Sequence, residues 1–322
     1  MQARFNHKIE AIAVSDIRQF DMEVSQIEGI IKLTLGEPDF NTPEHVKQAA
    51  IAAINADQSH YTPNSGIMEL RRAAAKYYKE KYALDYTPEQ SITTVGATEA
   101  IAASLQTILN PGDTVLMPTP VFPIYAPISQ LNGADVLQVD TSADGFILTP
   151  EKLRATLEAN KDKNIKAVVL VYPSNPTGAT YTKEQLVALA KVIAEYDIWA
   201  LCDEVYAELT YEGQHVSLAS FLPENTIVIS GLSKSHAMTG WRLGFILGPK
   251  DFSEQVVKAH QYMVTAPTTN VQFAALEALT KGKDDALSMR KEYQARRDFM
   301  RQALTDAGFE VVKPDGAFYL WL

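Results

Sequence analysis

KAVVLVYPSNPTGATYTKEQLVALAKVIAEYDIWALCDEVY, residues 166–206, places a helical pattern between two buried apolar runs. Lys166–Tyr172 and Trp199–Cys202 are short and apolar, so they read as strands with both faces covered. Between them, Thr182 with Gln185 forms the signature of a capping box and opens a helix over Lys183–Tyr196. A strand, a crossover helix and a second strand make a unit that places its strands parallel.

The same alternation extends in both directions. Ser91–Val95, Thr114–Met117, Asp135–Val139, Thr226–Ile229 and Leu243–Leu247 read as further strands, and Thr98 opens a helix over Glu99–Leu109 that stops at Asn110-Pro111-Gly112. Seven such runs predict a doubly wound α/β domain whose ligands bind beyond the carboxyl ends of the strands. After Asp284 a charged amphipathic helix is predicted to about Ala307, with strands at Phe309–Lys313 and Ala317–Leu322, as the start of a smaller α+β lobe. An apolar ending on Phe318-Tyr319-Leu320-Trp321-Leu322 is an odd free terminus, so a continuation beyond Leu322 is expected.

Composition narrows the function classes. A chain of 322 residues has room for about two domains, and 46% hydrophobic with 21% charged residues excludes disorder. Twenty-nine Lys and Arg against 39 Asp and Glu leave a net charge of −10, which offers no bulk field for nucleic acid. The single cysteine, Cys202, cannot pair internally and reads as a small buried hydrophobe, which suits the cytoplasm. Met1–Phe20 lacks the apolar core of a signal peptide, and no apolar run approaches the ~18 residues of a membrane span. G-x-G-x-x-G, G-x-x-x-x-G-K-[ST] and G-x-S-x-G are all absent, and the six histidines lie at least fifteen positions apart, so there is no local metal cluster.

What remains is a set of polar residues just past successive strands: Asn175 after the 165–172 run, Asp203 and Tyr206 after 198–202, and Ser233 and Lys234 after 226–229. Strand ends in an open sheet meet at one crevice. A partly desolvated lysine near another cation can form a Schiff base with an aldehyde, and pyridoxal 5'-phosphate is the aldehyde that fits this company. Its ring nitrogen needs a carboxylate, its ring oxygen needs donors such as a phenol or an amide, and its phosphate needs a helix start with an arginine. Val95-Gly96-Ala97-Thr98 follows a strand and opens a helix, so its backbone N–H groups and the Thr98 hydroxyl can hold the phosphate, with Arg242 completing the site.

Gly231-Leu232-Ser233-Lys234-Ser235-His236-Ala237-Met238-Thr239-Gly240-Trp241-Arg242-Leu243-Gly244 resembles the lysine signature of class I aminotransferases, in the aspartate aminotransferase superfamily of fold-type I pyridoxal-phosphate enzymes. Gly36-Glu37-Pro38-Asp39-Phe40 with Thr42-Pro43, Tyr61 to Gly66 followed by Leu70-Arg71, Asn175-Pro176-Thr177-Gly178 and Asp203-Glu204-Val205-Tyr206 are similar to the family's other landmarks, in order, from about Leu33 to Leu322. The resemblance implies a large domain with a mostly parallel seven-stranded sheet plus a smaller α+β domain. The expected division is an N-terminal arm and start of the small domain over 1–32, the cofactor domain over 33–283 and the small domain over 284–322.

By the same resemblance, Lys234 forms the Schiff base and then shuttles the proton, Asp203 pairs with the pyridinium nitrogen, and Asn175 and Tyr206 hydrogen-bond the ring oxygen. Gly96, Ala97, Thr98, Ser233 and Arg242 belong to the cofactor site, and Phe122 stacks on the ring. Tyr61 reaches the phosphate of a neighbouring subunit, which implies a homodimer. Gly36 and Asn175 contact the substrate.

The implied activity is ping-pong transamination from an L-amino acid to a 2-oxo acid, as in bacterial aromatic or broad-specificity enzymes. Relatives preferring dicarboxylates carry an arginine near 255–268, and this sequence has none between Arg242 and Arg290, so aromatic or apolar side chains are expected. The family's arginine for the substrate α-carboxylate falls beyond Leu322. Two alternatives share part of the pattern: β-elimination from a sulfur amino acid, and a cofactor-sensing regulatory domain, for which Met1–Ile31 is too short to hold a winged helix. His236 receives no role.

Overall fold

Strands form at the seven apolar runs in the computed structural model, which describes residues 4–322. They are β1 (Ser91–Thr94), β2 (Asp113–Thr119), β3 (Asp135–Asp140), β4 (Asn164–Val171), β5 (Trp199–Asp203), β6 (Thr226–Gly231) and β7 (Gly244–Leu247). They make one sheet in the order β1-β7-β6-β5-β4-β2-β3. β2 through β6 pair in parallel, while β7 runs antiparallel to both neighbours. This is the mostly parallel, seven-stranded architecture expected from the sequence.

The central strands β4 to β7 carry mostly apolar runs because helices cover both faces, whereas edge strand β3 is partly exposed. β1, β6 and β7 are buried at every position. Alternate residues enter different cores: Val228, Phe245 and Leu247 face helices Met68–Tyr82 and Thr269–Thr280, whereas Ile227, Ile229 and Ile246 face helices Gly96–Ile108 and Lys250–Val264. A third cluster packs Leu116, Val168, Leu170, Ala200 and Cys202 under helices Pro150–Ala159 and Lys183–Glu195. The capping box at Thr182 is formed: the Thr182 N–H donates to Gln185 Oε1 at 2.8 Å, and the Gln185 N–H donates to Thr182 Oγ1 at 3.3 Å.

Register brings the strand ends together. Val171 pairs with Asp203, Asp203 with Ile229, and Gly231 and Thr94 both with Gly244. The chain therefore leaves β1, β4, β5 and β6 along one edge, where β7 enters.

Two expectations change. The helix after β1 begins at Gly96 rather than beyond Thr98, because the Glu99 carboxylate reaches back to accept the Val95 N–H at 2.8 Å and closes the first turn itself. Helix Ala286–Asp306 forms as expected, but Phe309–Lys313 and Ala317–Leu322 are not strands. They meet in a single antiparallel bridge, Val312 with Trp321, and Gly316 bridges to Thr210, so no ladder builds up. No helix of the described residues is long and apolar enough to cross a membrane.

Phe245 is fully buried and meets the edge of Tyr78 at 6.3 Å between ring centroids. Phe245→Ala is expected to destabilise the protein by about 3–5 kcal/mol, read as a lower urea midpoint, with Phe245→Leu losing less. Equal midpoints for wild type and Phe245→Ala would contradict this packing.

Candidate active site

β6 ends at Gly231, and the turn after it carries Lys234 into the crevice. Lys234 Nζ donates to the Gly36 carbonyl at 2.5 Å and lies 5.7 and 5.5 Å from the ring centroids of Tyr206 and Phe318. Burial lowers its pKa to about 8; Arg242 pushes the same way, against the pull of Glu37 and Asp203. The amine therefore sheds its proton far more readily than a solvated lysine.

Asp203, the last residue of β5, is buried and held from two sides. Tyr125 Oη donates to Oδ2 at 2.7 Å and the Val205 N–H to Oδ1 at 3.1 Å. Burial raises the carboxyl pKa, and these two hydrogen bonds work against the rise. Tyr125 is itself fully buried and starts the short helix Tyr125–Leu131 after β2.

Asn175 and Tyr206 converge on one oxygen. Asn175 Nδ2 donates to the Tyr319 hydroxyl at 3.1 Å, and the Tyr206 and Tyr319 hydroxyls are 2.5 Å apart. The Phe122 N–H donates to the Asn175 carbonyl at 2.9 Å, which fixes the Phe122 loop to the same edge with the residue 37% exposed. Gly36 closes the other side, where any side chain would run into the Tyr319 hydroxyl.

The turn after β1 forms a cradle. Gly96 opens its helix at φ +77°, and a side chain there would collide with the Arg242 guanidinium. Gly244 is equally constrained: a Cβ would lie 2.6 Å from Gly96 C and 2.7 Å from Ala97 N. Arg242 Nη1 donates to the Thr239 carbonyl at 2.9 Å. Among the described residues no carboxylate forms a salt bridge with it. A guanidinium without a salt-bridge partner thus faces a helix N-terminus whose first turn Glu99 closes at the Val95 N–H, the chemistry of an anion site. Thr98 is exposed in the first turn, Ala97 is half-buried, and Ser233 is buried beside Lys234.

The structure therefore brings together Gly36, Asn175, Asp203, Tyr206, Ser233 and Lys234, with Gly96, Ala97, Thr98 and Arg242 at the adjoining cradle. Tyr61 stands apart, 90% exposed. No cluster of His, Cys, Asp and Glu among the described residues can hold a metal ion. Sequence reasoning missed Tyr125 and Tyr319. Tyr125 follows the carboxyl end of β2 and would have been found by applying there the strand-end rule used for Asn175 and Asp203. Tyr319 lies in a segment read as strand, which concealed it.

The family model described as "Aminotransferase class I and II" matches residues 28–322. The probable N-acetyl-LL-diaminopimelate aminotransferase of Bacillus subtilis is 48% identical over 322 residues, covering 100% of this chain and 81% of the relative. The aspartate/prephenate aminotransferase of Thermus thermophilus is 40% identical over 295 residues, 90% of this chain and 76% of the relative. The solved structure of Thermus thermophilus aspartate aminotransferase with maleate superimposes with a TM-score of 0.94 at 37% identity, covering 99% of this chain and 85% of that one. These relatives are named as aminotransferases, which gives no support to the lyase or regulatory alternatives. The fold, the converging strand ends and these matches together show that the chain belongs to the class I and II aminotransferase family and is a fold-type I aminotransferase.

Proposed function

We propose that this aminotransferase uses pyridoxal 5'-phosphate to move an amino group from an L-amino acid with an aromatic or broadly apolar side chain to a 2-oxo acid, in a ping-pong cycle. The observation that carries the reading is the half-buried Lys234 amine at the strand edge, with a carboxylate on one side and, on the other, a guanidinium at a helix start that forms no salt bridge among the described residues. Bound here, pyridoxal phosphate supplies an aldehyde for amine exchange and an electron sink for the pair released at the substrate Cα.

The residues present fit that group. The Tyr319 phenol already places an aryl hydroxyl between Asn175 and Tyr206, so these two side chains suit the ring oxygen and Tyr319 competes for the same donors. Asp203, whose carboxyl oxygens accept from Tyr125 and the Val205 N–H, suits a protonated ring nitrogen. Gly96, Ala97, Thr98, Ser233 and Arg242 hold the phosphate, and Phe122 covers the ring. Lys234 Nζ, once free, takes the proton from the substrate Cα and returns it to the acceptor carbon. Gly36 and Asn175 orient the substrate.

Tyr61 is assigned to the phosphate of a partner subunit in a homodimer. Its 90% exposure, with Ile31, Leu33 and Tyr262 also exposed by 86%, 87% and 87%, leaves large apolar side chains for a second copy to cover. We place the cofactor domain over 33–283, with 1–32 and 284–322 in the arm and smaller domain, and the enzyme in the cytoplasm, where the buried Cys202 thiol stays reduced.

The absence of arginine between Arg242 and Arg290 favours apolar donors, since an unpaired distal carboxylate is costly to bury. Purified holoenzyme mixed with single amino acids is expected to lose its yellow absorption and yield the matching 2-oxo acid, with kcat/KM for phenylalanine about 10-fold or more above that for aspartate. A preference for aspartate would overturn the substrate class, and release of pyruvate with ammonia from a sulfur amino acid would overturn transamination.

Tyr125→Phe removes a donor from Asp203. A hydrogen bond to a charged group contributes about 1.5–3 kcal/mol, so kcat/KM is expected to fall about 10- to 100-fold. With one donor fewer the carboxyl is harder to ionise, so the acidic limb of the pH profile moves to higher pH. An unmoved limb would assign Tyr125 to packing alone.

A further inference from the structure

One buried ionisable pair takes no part in the steps above. His260, on helix Lys250–Val264, is fully buried and both its ring nitrogens face acceptors: Nδ1 is 2.9 Å from Glu99 Oε1, and Nε2 is 2.6 Å from the Asn64 carbonyl. A carbonyl only accepts, so Nε2 carries a hydrogen; an ionised carboxylate only accepts, so Nδ1 carries another. The geometry calls for an imidazolium. Burial pulls the imidazole pKa down, and Glu99 and the Asn64 carbonyl more than reverse this.

Each partner leads to a segment of the proposed phosphate site. Glu99 Oε2 accepts the Val95 N–H at 2.8 Å, immediately before Gly96. Asn64 belongs to the loop that carries Tyr61. That loop is seated firmly: Gln272 accepts the Ile67 N–H at 2.7 Å and donates to Thr62 Oγ1 at 2.9 Å, and a Cβ on Gly66 would press on Thr93.

We propose that His260 is a positioning residue for phosphate recognition, a buried cation that clamps the Val95–Gly96 turn through Glu99 and the Tyr61 loop through Asn64. The inference rests on the reading of Gly96–Thr98 and Tyr61 as phosphate ligands. Glu99 is the charged group that faces His260 from helix Gly96–Ile108, and the 60–66 loop presents an uncharged carbonyl. Its helix also packs on β1, whose Ser91, Ile92, Thr93 and Thr94 carry no charge, and on the 88–90 turn, whose Glu89 interacts with Arg71 and Arg72.

The test compares pyridoxal phosphate with pyridoxal as ligands of the apo-protein, because their affinity ratio isolates the phosphate contribution and cancels the titration of Lys234. Above about pH 7, beyond the second phosphate ionisation, the wild-type ratio is expected to fall as rising pH removes the imidazolium proton. His260→Gln is expected to weaken pyridoxal phosphate about 10-fold, leave pyridoxal unchanged and flatten the pH dependence. Glu99→Gln retains all three hydrogen bonds with a neutral imidazole, since the amide donates to Nδ1 and still accepts from Val95; it should fold normally and show a flat ratio. A wild-type ratio that does not change with pH, or a His260→Gln variant that weakens both ligands equally or neither, would overturn the inference while leaving the cofactor site standing. A wild type that binds pyridoxal as tightly as pyridoxal phosphate would overturn the phosphate site itself.

Discussion

The site depends on keeping one primary amine out of water. Lys234 is held in a crevice walled by Tyr206 and Phe318, with its ammonium donating to a backbone carbonyl rather than to a carboxylate. A solvated lysine is protonated at neutral pH and a poor nucleophile; a desolvated one near a guanidinium gives up its proton close to neutrality. That condition is met because three parallel strands end at one level and the turn after β6 has nowhere to go but across their ends.

Around this amine the chain manages charge locally. Overall it carries −10, yet at the cradle Arg242 faces a helix N-terminus with no salt bridge to a carboxylate among the described residues. The acids behind the strand ends are satisfied within the fold. Glu204 accepts from Tyr172 at 2.9 Å, Ser217 at 2.6 Å and His215 at 2.8 Å; Glu208 accepts from Tyr77 at 2.6 Å and Tyr82 at 2.5 Å. Buried carboxylates with full sets of donors stay in place and stiffen the floor under Asp203 and Lys234.

The central strands were legible because burial on two faces favours apolar runs, and β6 and β7 are buried at every position. Asn175, Asp203 and Lys234 were legible for a related reason: a polar residue just past such a run must lie at the sheet edge. Less visible were contacts that join distant segments through a side chain. Glu99 and His260 are 161 positions apart and Tyr125 and Asp203 are 78 apart, and no local pattern links either pair. At the C-terminal end, apolar residues at 309–313 and 317–322 suggested strands, but a strand needs a neighbour along its length, and these segments share a single bridge. The helix start was misplaced because Thr98 has the usual capping side chain, while Glu99 performs the closure.

The account stands or falls on which atom holds the cofactor. Holoenzyme reduced with borohydride, digested and analysed by mass spectrometry is predicted to carry the pyridoxyl label on Lys234 and on no other residue. A label on a different lysine, or a protein that retains no label after reduction, would contradict it.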